Sequence, residues 1–193
     1  MEAICVFCGS SPGALTEYAD VARRLGRELV RRKLELVYGG GRVGLMGAIA
    51  DAVLDAGGRV MGVIPEALER REVAHTGVTD LRVVASMHER KALMADLSDG
   101  FVAMPGGLGT LDEMFEILTW AQLGIHAKPC GFLNVAGYFD RLFAFLDDAV
   151  AQRFLSLEHR KLMLVDTSPE ALLDRFAAYV PTATDKWVDR DQR

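Results

Sequence analysis

Short apolar segments alternate with longer amphipathic segments along this chain, and few folds accommodate that pattern. The short segments are typical of strands, whereas the longer ones repeat apolar residues at helical spacing. Strands that alternate with helices form a parallel sheet, connected by right-handed crossovers, with helices on both faces. The strand segments are apolar throughout, as strands covered on both faces should be. The sequence therefore predicts an α/β fold with a doubly wound parallel sheet in a single domain.

The predicted elements follow one another without a linker, repeat or low-complexity segment. The strands are predicted at 3–7, 34–38, 59–64, 81–84, 101–104, 130–134 and 162–165. The helices are predicted at 16–32, 45–54, 86–97, 110–123, 138–152 and 169–179. The polar stretch 66–79 is predicted as a loop with room for one short helix. The domain is expected to span 1–180, followed by a polar tail at 181–193.

The composition excludes several classes of protein. Half of the 193 residues are hydrophobic, which is ample for the core of one domain. The formal charge of -5 argues against a nucleic acid or an anionic membrane as the main partner. The chain begins with no signal-peptide pattern, and it has no run of about 18 apolar residues that could span a membrane. We therefore expect a cytoplasmic protein.

The cysteines and histidines give no metal pattern. Cys5 and Cys8 form a C-x-x-C pair, but Cys5 lies in the first predicted strand, where a spacing of three sends the two sulfurs to opposite faces. The histidines are scattered and lack zinc-site spacing: His75, His88, His126 and His159. We predict neither a metal site nor a cofactor.

Three glycine-rich loops follow predicted strands, with the sequences CGSSPG at 8–13, GGGRVGLMG at 39–47 and PGGLGT at 105–110. In a parallel sheet the carboxyl ends of the strands share one edge, and ligands bind there. The second loop matches G-x-G-x-x-G, yet the acidic residue expected after the next strand of a dinucleotide site is missing. Three interpretations stay open for Gly39, Gly40 and Gly41: a dinucleotide site, a tight turn, and the favoured one, contact with part of a mononucleotide.

PGGLGT gives the stronger signal. Pro105 ends a strand, the glycines leave backbone amides accessible, and Thr110 is expected to open a helix whose N-terminus carries partial positive charge. Amides and a hydroxyl arranged in this way form an anion site. The loop lacks the Lys-Ser/Thr of a Walker loop. The alternative is a glycine turn before a capped helix.

Three acidic residues, Asp112, Glu113 and Glu116, begin the same helix. Thr110 and Glu113 have the spacing of a capping box, which is a purely structural explanation for Glu113. However, a phosphate is disfavoured beside three carboxylates, so cations must offset them. Arg90 and Lys91 are the obvious supply, although a solvated charged face is an alternative for that pair, and His88 is expected on the helix surface.

Four segments together resemble the LOG ("Lonely Guy") family, whose members are cytokinin riboside 5′-monophosphate phosphoribohydrolases often mislabelled as lysine decarboxylases. They are MHERK at 87–91, PGGLGTLDE at 105–113, GGGRVGLMG at 39–47 and TWAQLGIH at 119–126. The resemblance covers nearly the whole chain. It implies a Rossmann-like fold, a homodimer, no cofactor, and hydrolysis of a nucleoside 5′-monophosphate to an adenine-type base and ribose 5-phosphate.

The resemblance also assigns roles to individual residues. Arg90 and Glu113 match the catalytic arginine and glutamate of the family, and Glu72 matches a binding glutamate in a loop that is harder to align. The remaining matches are nucleotide-binding positions: Lys91, Gly106, Gly107, Leu108, Gly109, Thr110, Leu111 and Asp112. The preferred base is not determined by these motifs.

Two other functions fit parts of the sequence. A decarboxylase would need pyridoxal phosphate on a Schiff-base lysine, and Lys91 is the one lysine beside a glycine-rich loop. A non-catalytic nucleotide carrier would use the same loops but leave the nucleotide intact.

Overall fold

The computed structural model describes residues 1–69 and 74–181. Over these residues the strands are β1 (Ala3–Phe7), β2 (Glu35–Tyr38), β3 (Val60–Pro65), β4 (Asp80–Val84), β5 (Gly100–Ala103), β6 (Cys130–Leu133) and β7 (Met163–Asp166). They form one sheet in the order β4-β3-β2-β1-β5-β6-β7, and each neighbouring pair is parallel. The predicted doubly wound parallel sheet is therefore confirmed.

The helices connect these strands. They are α1 (Thr16–Arg31), α2 (Gly44–Asp55), α3 (Glu66–Glu69), α4 (Met87–Asp96), α5 (Leu108–Gln122), α6 (Asp140–Ala151), α7 (Leu157–Arg160) and α8 (Pro169–Ala177). A 3₁₀ turn at Val135–Gly137 precedes α6. Within the described ranges, no helix is both long and apolar enough to cross a membrane.

The core has two halves, one on each face of the sheet. Side chains of β1 alternate between them, because successive residues of a strand point to opposite faces. Ile4 and Val6 pack with α1, α2 and α8, whereas Phe7 packs with α4, α5 and α6. Leu25 and Leu29 of α1 are fully buried, and each contributes about 1.5–3 kcal/mol of transfer free energy.

The two halves of the core also separate the cysteines of the C-x-x-C pair. Cys5 lies in the half under α4 and α5, and Cys8 lies in the half under α1 and α2. The prediction that their sulfurs point to opposite faces is thus confirmed. All three cysteines are buried free thiols.

The bounds of the predicted strands and helices are all within two residues of the structure, and the differences have local causes. Pro65 was predicted to follow β3 but is its last residue, paired with Val84 of the edge strand β4. The short helix α7 was not predicted because its four residues carry too little periodicity, although Ser156 caps it by accepting a hydrogen bond from the His159 amide. The tail at 182–193 lies outside the described residues.

The strand order places the switch point of the sheet between β1 and β5. From this point the chain winds outward in both directions, so the loops after β1 and β5 diverge and leave a crevice. The loop after β2 lies beside them. Three glycine-rich loops therefore meet at one edge, as predicted.

Candidate active site

A cavity of about 290 Å³ opens at the carboxyl ends of β1, β2 and β5. Its wall combines Gly9 and Ser10 from the loop after β1, Gly39 from the loop after β2, Arg90 from α4, and the first two turns of α5. The cavity thus joins the glycine-rich loops to Arg90 and Glu113, the two residues that the family resemblance assigned to catalysis.

The N-terminus of α5 forms one wall of this cavity. Gly107 is the N-cap, with φ −96° and ψ −151°, and α5 begins at Leu108. The first intrahelical bond runs from the Leu111 amide to the Gly107 carbonyl at 3.2 Å. The amides of Leu108, Gly109 and Thr110 precede that bond, so they have no partner within the helix. With the helix dipole, they make this wall suitable for an anion.

The predicted start of this helix at Thr110 is wrong, and so is the capping box. The loop before α5 is held by two hydrogen bonds: the Gly9 amide donates to the Pro105 carbonyl at 3.0 Å, and Tyr138 Oη donates to the Gly106 carbonyl at 2.7 Å. The chain therefore enters the helix directly after Gly107. Thr110 is already the third helical residue, and Glu113 lies in the second turn.

Thr110 has a different local role. Its side chain is buried and fills the space beside Gly106, where a β-carbon would lie 2.1 Å from Thr110 Oγ1. Any larger residue at position 106 would displace the threonine. Gly106 thus allows the hydroxyl of Thr110 to lie against the loop at the cavity wall.

Arg90 and Glu113 form a buried ion pair at the cavity. Arg90 Nη2 lies 3.3 Å from Glu113 Oε1, and the two residues are 5% and 8% exposed. This burial excludes the solvated charged face that was an alternative for Arg90. The ion pair also gives Glu113 an interaction partner, Arg90, that lies outside its own helix. A charged pair at this depth is costly unless well compensated, so it is weak evidence for stability.

Lys91 forms a second link between α4 and α5. Its Nζ lies 3.2 Å from Asp112 Oδ2 and 3.0 Å from Glu116 Oε2. The expectation that Arg90 and Lys91 offset the three carboxylates is therefore confirmed. His88, the third basic candidate on this helix, is exposed as predicted.

The environment of Lys91 does not suit pyridoxal phosphate. Burial alone would lower the pKa of Lys91, but hydrogen bonds to Glu116 and Asp112 outweigh it and raise the pKa above its ordinary value. A Schiff-base lysine must instead lose its proton to attack an aldehyde. Lys128, a second described lysine, donates to the Ala95 carbonyl near the C-terminal end of α4. None of the described lysines, which also include Lys33 and Lys161, lines the cavity, so the decarboxylase alternative has no suitable lysine there.

The loop after β2 mostly serves packing. Gly39 lines the cavity. Gly40, at φ +77°, accepts a hydrogen bond from the His75 amide at 2.9 Å, and Gly41 forms an antiparallel bridge with Ala74. Gly44 has φ +63°, and a β-carbon there would lie 2.3 Å from the Ser10 carbonyl carbon. The last glycine of G-x-G-x-x-G therefore lets α2 begin against the loop after β1.

The other predicted site residues lie as follows. Gly107, Leu108, Gly109, Thr110 and Asp112 line the cavity. Leu111, by contrast, packs against the core. Glu72 lies outside the described residues.

Sequence reasoning missed Cys8, Leu68 and Met87, which also line the cavity. Burial and the nearby charge of Glu113 raise the pKa of the Cys8 thiol well above its ordinary value, so it stays neutral. Cys8 is therefore poorly suited to act as a nucleophile. Its position directly after β1 could have identified it, whereas Leu68 and Met87 carry no recognisable signal.

Comparisons with known proteins identify relatives of this chain. Residues 46–176 match the family described as "Possible lysine decarboxylase". The chain is 55% identical over 178 residues to a probable cytokinin riboside 5′-monophosphate phosphoribohydrolase of Oryza sativa subsp. japonica, covering 92% of this chain and 78% of the relative. It is 51% identical over 178 residues to a cytokinin riboside 5′-monophosphate phosphoribohydrolase of Arabidopsis thaliana, covering 92% and 84%.

Solved structures share the fold at lower identity. The molybdenum cofactor binding protein of Rippkaea orientalis aligns with a TM-score of 0.70 and 22% identity over 92% of this chain and 96% of the other. The molybdenum cofactor carrier protein of Chlamydomonas reinhardtii aligns with a TM-score of 0.70 and 22% identity over 92% and 99%. These similarities support the Rossmann-like α/β fold alone. The extensive identity to the plant enzymes, together with the family match, shows that the chain belongs to the LOG family, the family of the cytokinin riboside 5′-monophosphate phosphoribohydrolases.

Proposed function

We propose that this protein hydrolyses the N-glycosidic bond of adenosine 5′-monophosphates, plain or N6-modified, and releases the free base and ribose 5-phosphate. The observation that carries this proposal is the buried Arg90–Glu113 pair, which lies in one cavity with the N-terminus of α5. That cavity offers an anion site next to a carboxylate, and a nucleoside monophosphate presents a phosphate next to a sugar.

The phosphate binds at the start of α5 in this proposal. The amides of Leu108, Gly109 and Thr110 donate to its oxygens, and the Thr110 hydroxyl adds a further donor. Gly106 and Gly107 bring the backbone close to the anion. Lys91 and Asp112, which the resemblance places at nucleotide-binding positions, form the ion pair that links α4 to α5 beside the cavity. Binding energy from the phosphate then positions the reacting carbon of the sugar.

Glu113 and Arg90 act at the sugar. As the bond between C1′ and the base nitrogen breaks, positive charge develops on the ribose ring and negative charge on the departing base. The Glu113 carboxylate stabilises the ring cation and takes a proton from the water whose oxygen bonds to C1′. The base leaves with the bonding electron pair and gains one proton, which balances the proton that Glu113 takes from the water. Arg90 remains charged throughout and fixes the carboxylate.

The base faces the apolar part of the cavity in this arrangement. Leu68, Met87 and Leu108 supply apolar side chains there, and Glu72 enters the proposal through its match to a binding glutamate of the family. Apolar lining with a few polar groups is typical of sites for small molecules.

Incubation of the purified protein with AMP and with adenosine, with chromatography of the released base, tests the proposal. We expect base release from the monophosphate, and a kcat/KM for adenosine that is lower by about a hundredfold or more, because the nucleoside lacks several charge-assisted hydrogen bonds. Equal rates on both substrates would contradict the assignment of the phosphate to α5. Nucleotide that is bound but recovered intact would instead support the carrier function. Adding purine monophosphates with and without an N6-prenyl group identifies the preferred base.

We further propose that the protein is a cytoplasmic homodimer, in keeping with the family resemblance. Sedimentation velocity of the purified chain should give twice the monomer mass of 21.1 kDa. A monomer at the concentrations used in the base-release assay would contradict this assembly without affecting the assigned chemistry.

A further inference from the structure

Gly39, the first glycine after β2, lies directly against the guanidinium group of Arg90. A β-carbon at position 39 would lie 2.1 Å from Arg90 Nη2 and 3.1 Å from Arg90 Cζ. Side-chain carbon atoms do not approach nitrogen this closely, so any residue larger than glycine would occupy the space that the guanidinium fills.

The backbone conformation gives no other reason for a glycine here. Gly40 and Gly44 in the same loop have φ of +77° and +63°, which disfavour other residues. Gly39 is not among the glycines with positive φ. Apart from Arg90, the nearest atom to its missing β-carbon is Met46 Sδ at 3.4 Å, at the end of a flexible side chain. The requirement for glycine at position 39 therefore comes from Arg90.

Arg90 is also confined on its other sides. Its Nη1 lies 3.8 Å from Met87 Sδ, its Nη2 lies 3.3 Å from Glu113 Oε1, and the residue is only 5% exposed. A guanidinium pushed from Gly39 would have to move relative to the Glu113 carboxylate. A shift of about 1 Å at such a group can cost about a hundredfold in rate.

We infer that Gly39 is a positioning residue: the absence of a β-carbon after β2 provides the space that holds the Arg90 guanidinium against Glu113. This differs from a role for Gly39 in binding phosphate, since the contact is with a protein cation. The predicted effect of Gly39 on catalysis rests on the proposed function. The steric contact itself can be tested without substrate.

The kinetic test is a double-mutant cycle between Gly39→Ala and Arg90→Lys. Alone, Gly39→Ala should lower kcat on the preferred nucleoside 5′-monophosphate at least tenfold, while KM changes less than threefold because the phosphate site on α5 is untouched. In a chain that carries Arg90→Lys, whose side chain lacks the outer fork, adding Gly39→Ala should lower kcat no further. A loss of the same size in both backgrounds would overturn the inference, as would unchanged kcat in Gly39→Ala.

Urea unfolding of the same variants gives a readout that needs no activity. Gly39→Ala should lower the unfolding midpoint of the wild-type chain, whereas in the Arg90→Ala background it should lower it by less than half as much, because the guanidinium is gone. Equal lowering in both backgrounds would overturn the inference. If the wild type released no base, the proposed function would fail while the unfolding cycle still decided the role of Gly39.

Gly58→Ala is the matched control. Its β-carbon would lie 2.4 Å from Val30 Cγ2 and 2.8 Å from Val53 Cγ1, in the turn between α2 and β3. This clash is of similar severity but lies among stiff core side chains far from the cavity. Gly58→Ala should lower the unfolding midpoint and leave kcat within twofold. A tenfold loss of kcat in Gly58→Ala would show that kcat responds to any packing defect, and would remove the kinetic support for a role of Gly39 through Arg90.

Discussion

Glu113 and Arg90 show how burial changes the meaning of individual residues. From the sequence, Glu113 had a structural explanation as part of a capping box, and Arg90 had one as part of a solvated helix face. In the structure both residues are buried and 3.3 Å apart at the cavity. The structure therefore rules out both the capping box for Glu113 and the solvated face for Arg90. A local motif of four residues could not reveal this, because the pairing joins two helices through the tertiary fold.

Glu113→Gln should lower both the stability of the chain and its kcat. A capping role would predict unchanged stability, because glutamine serves in a capping box as well as glutamate does. Glutamine keeps the size and one acceptor of the side chain but leaves Arg90 with a neutral partner, so we expect a loss of about 1–3 kcal/mol in the free energy of unfolding. The amide cannot accept a proton from water, and kcat should fall by at least about a hundredfold. Urea unfolding and steady-state kinetics measure the two effects.

The nucleotide affinity of the same variant is a further check. Removing one negative charge near the phosphate should leave the Kd for the monophosphate unchanged or lower it, because like charges repel at short range. Near-normal kcat with unchanged stability would contradict the catalytic role of Glu113.

At the level of elements, α5 shows where sequence patterns succeed and fail. The helix itself, its partner α4 and the strands around them were predicted from periodicity, which is strong over long segments. The start of α5 was placed two residues late, because Thr110 has the chemistry of a cap. Hydrogen bonds from Gly9 and Tyr138 hold the preceding loop instead. Both donors are distant in sequence, so no local pattern could have shown them.

Thr110→Val tests this corrected helix start. Valine keeps the volume of the buried side chain but removes the hydroxyl. Since Gly107 is the N-cap, the free energy of unfolding should change little, while the Kd for the nucleoside monophosphate should rise about tenfold, as expected for one hydrogen bond of about 1.4 kcal/mol. Calorimetric binding and urea unfolding give both values.

Ser168→Ala is the matched control for a true cap. Ser168 Oγ accepts a hydrogen bond from the Ala171 amide at the start of α8, far from the cavity. Its loss should lower the free energy of unfolding by about 1 kcal/mol and leave nucleotide affinity unchanged. If Thr110→Val destabilised the chain as much as Ser168→Ala, the threonine would be acting as a cap after all.

At the scale of the whole molecule, the general location of the site could be predicted from the sequence, but several of its contacts could not. A parallel sheet brings the ends of its strands to one edge whatever their order, so three glycine-rich loops at strand ends predict a shared site. The order of the strands, however, decides which loops touch. The contact between Gly39 after β2 and Arg90 on α4 depends on that order and on side-chain packing. It is therefore visible only in the folded chain.

Away from the site, charged side chains fasten α1 to α8 across the sheet face. Glu28 is buried near the end of α1 and accepts hydrogen bonds from Arg31 at 2.6 Å and from Arg32 at 2.5 Å. Arg32 also lies 2.8 Å from Asp174 of α8. Hydrogen bonds from Arg31 and then Arg32 outweigh the opposing effect of burial and lower the pKa of Glu28 from 4.5 to about 2.

This pKa predicts how acid affects the fold. A carboxyl group whose pKa is lower in the folded chain than in the unfolded chain stabilises the fold above the unfolded pKa. For Glu28 that stabilisation is complete above about pH 4.5 and is lost progressively as the pH falls toward about 2. We expect Glu28→Gln to be less stable than wild type at neutral pH, and the difference to shrink across this window. Glu17→Gln, an exposed position in the same helix, should show a much smaller difference at neutral pH. Urea midpoints of the three chains, measured from neutral pH down to about pH 3, test this expectation. A difference between wild type and Glu28→Gln that stayed constant over this range would mean that Arg31 and Arg32 do not hold Glu28 as a carboxylate.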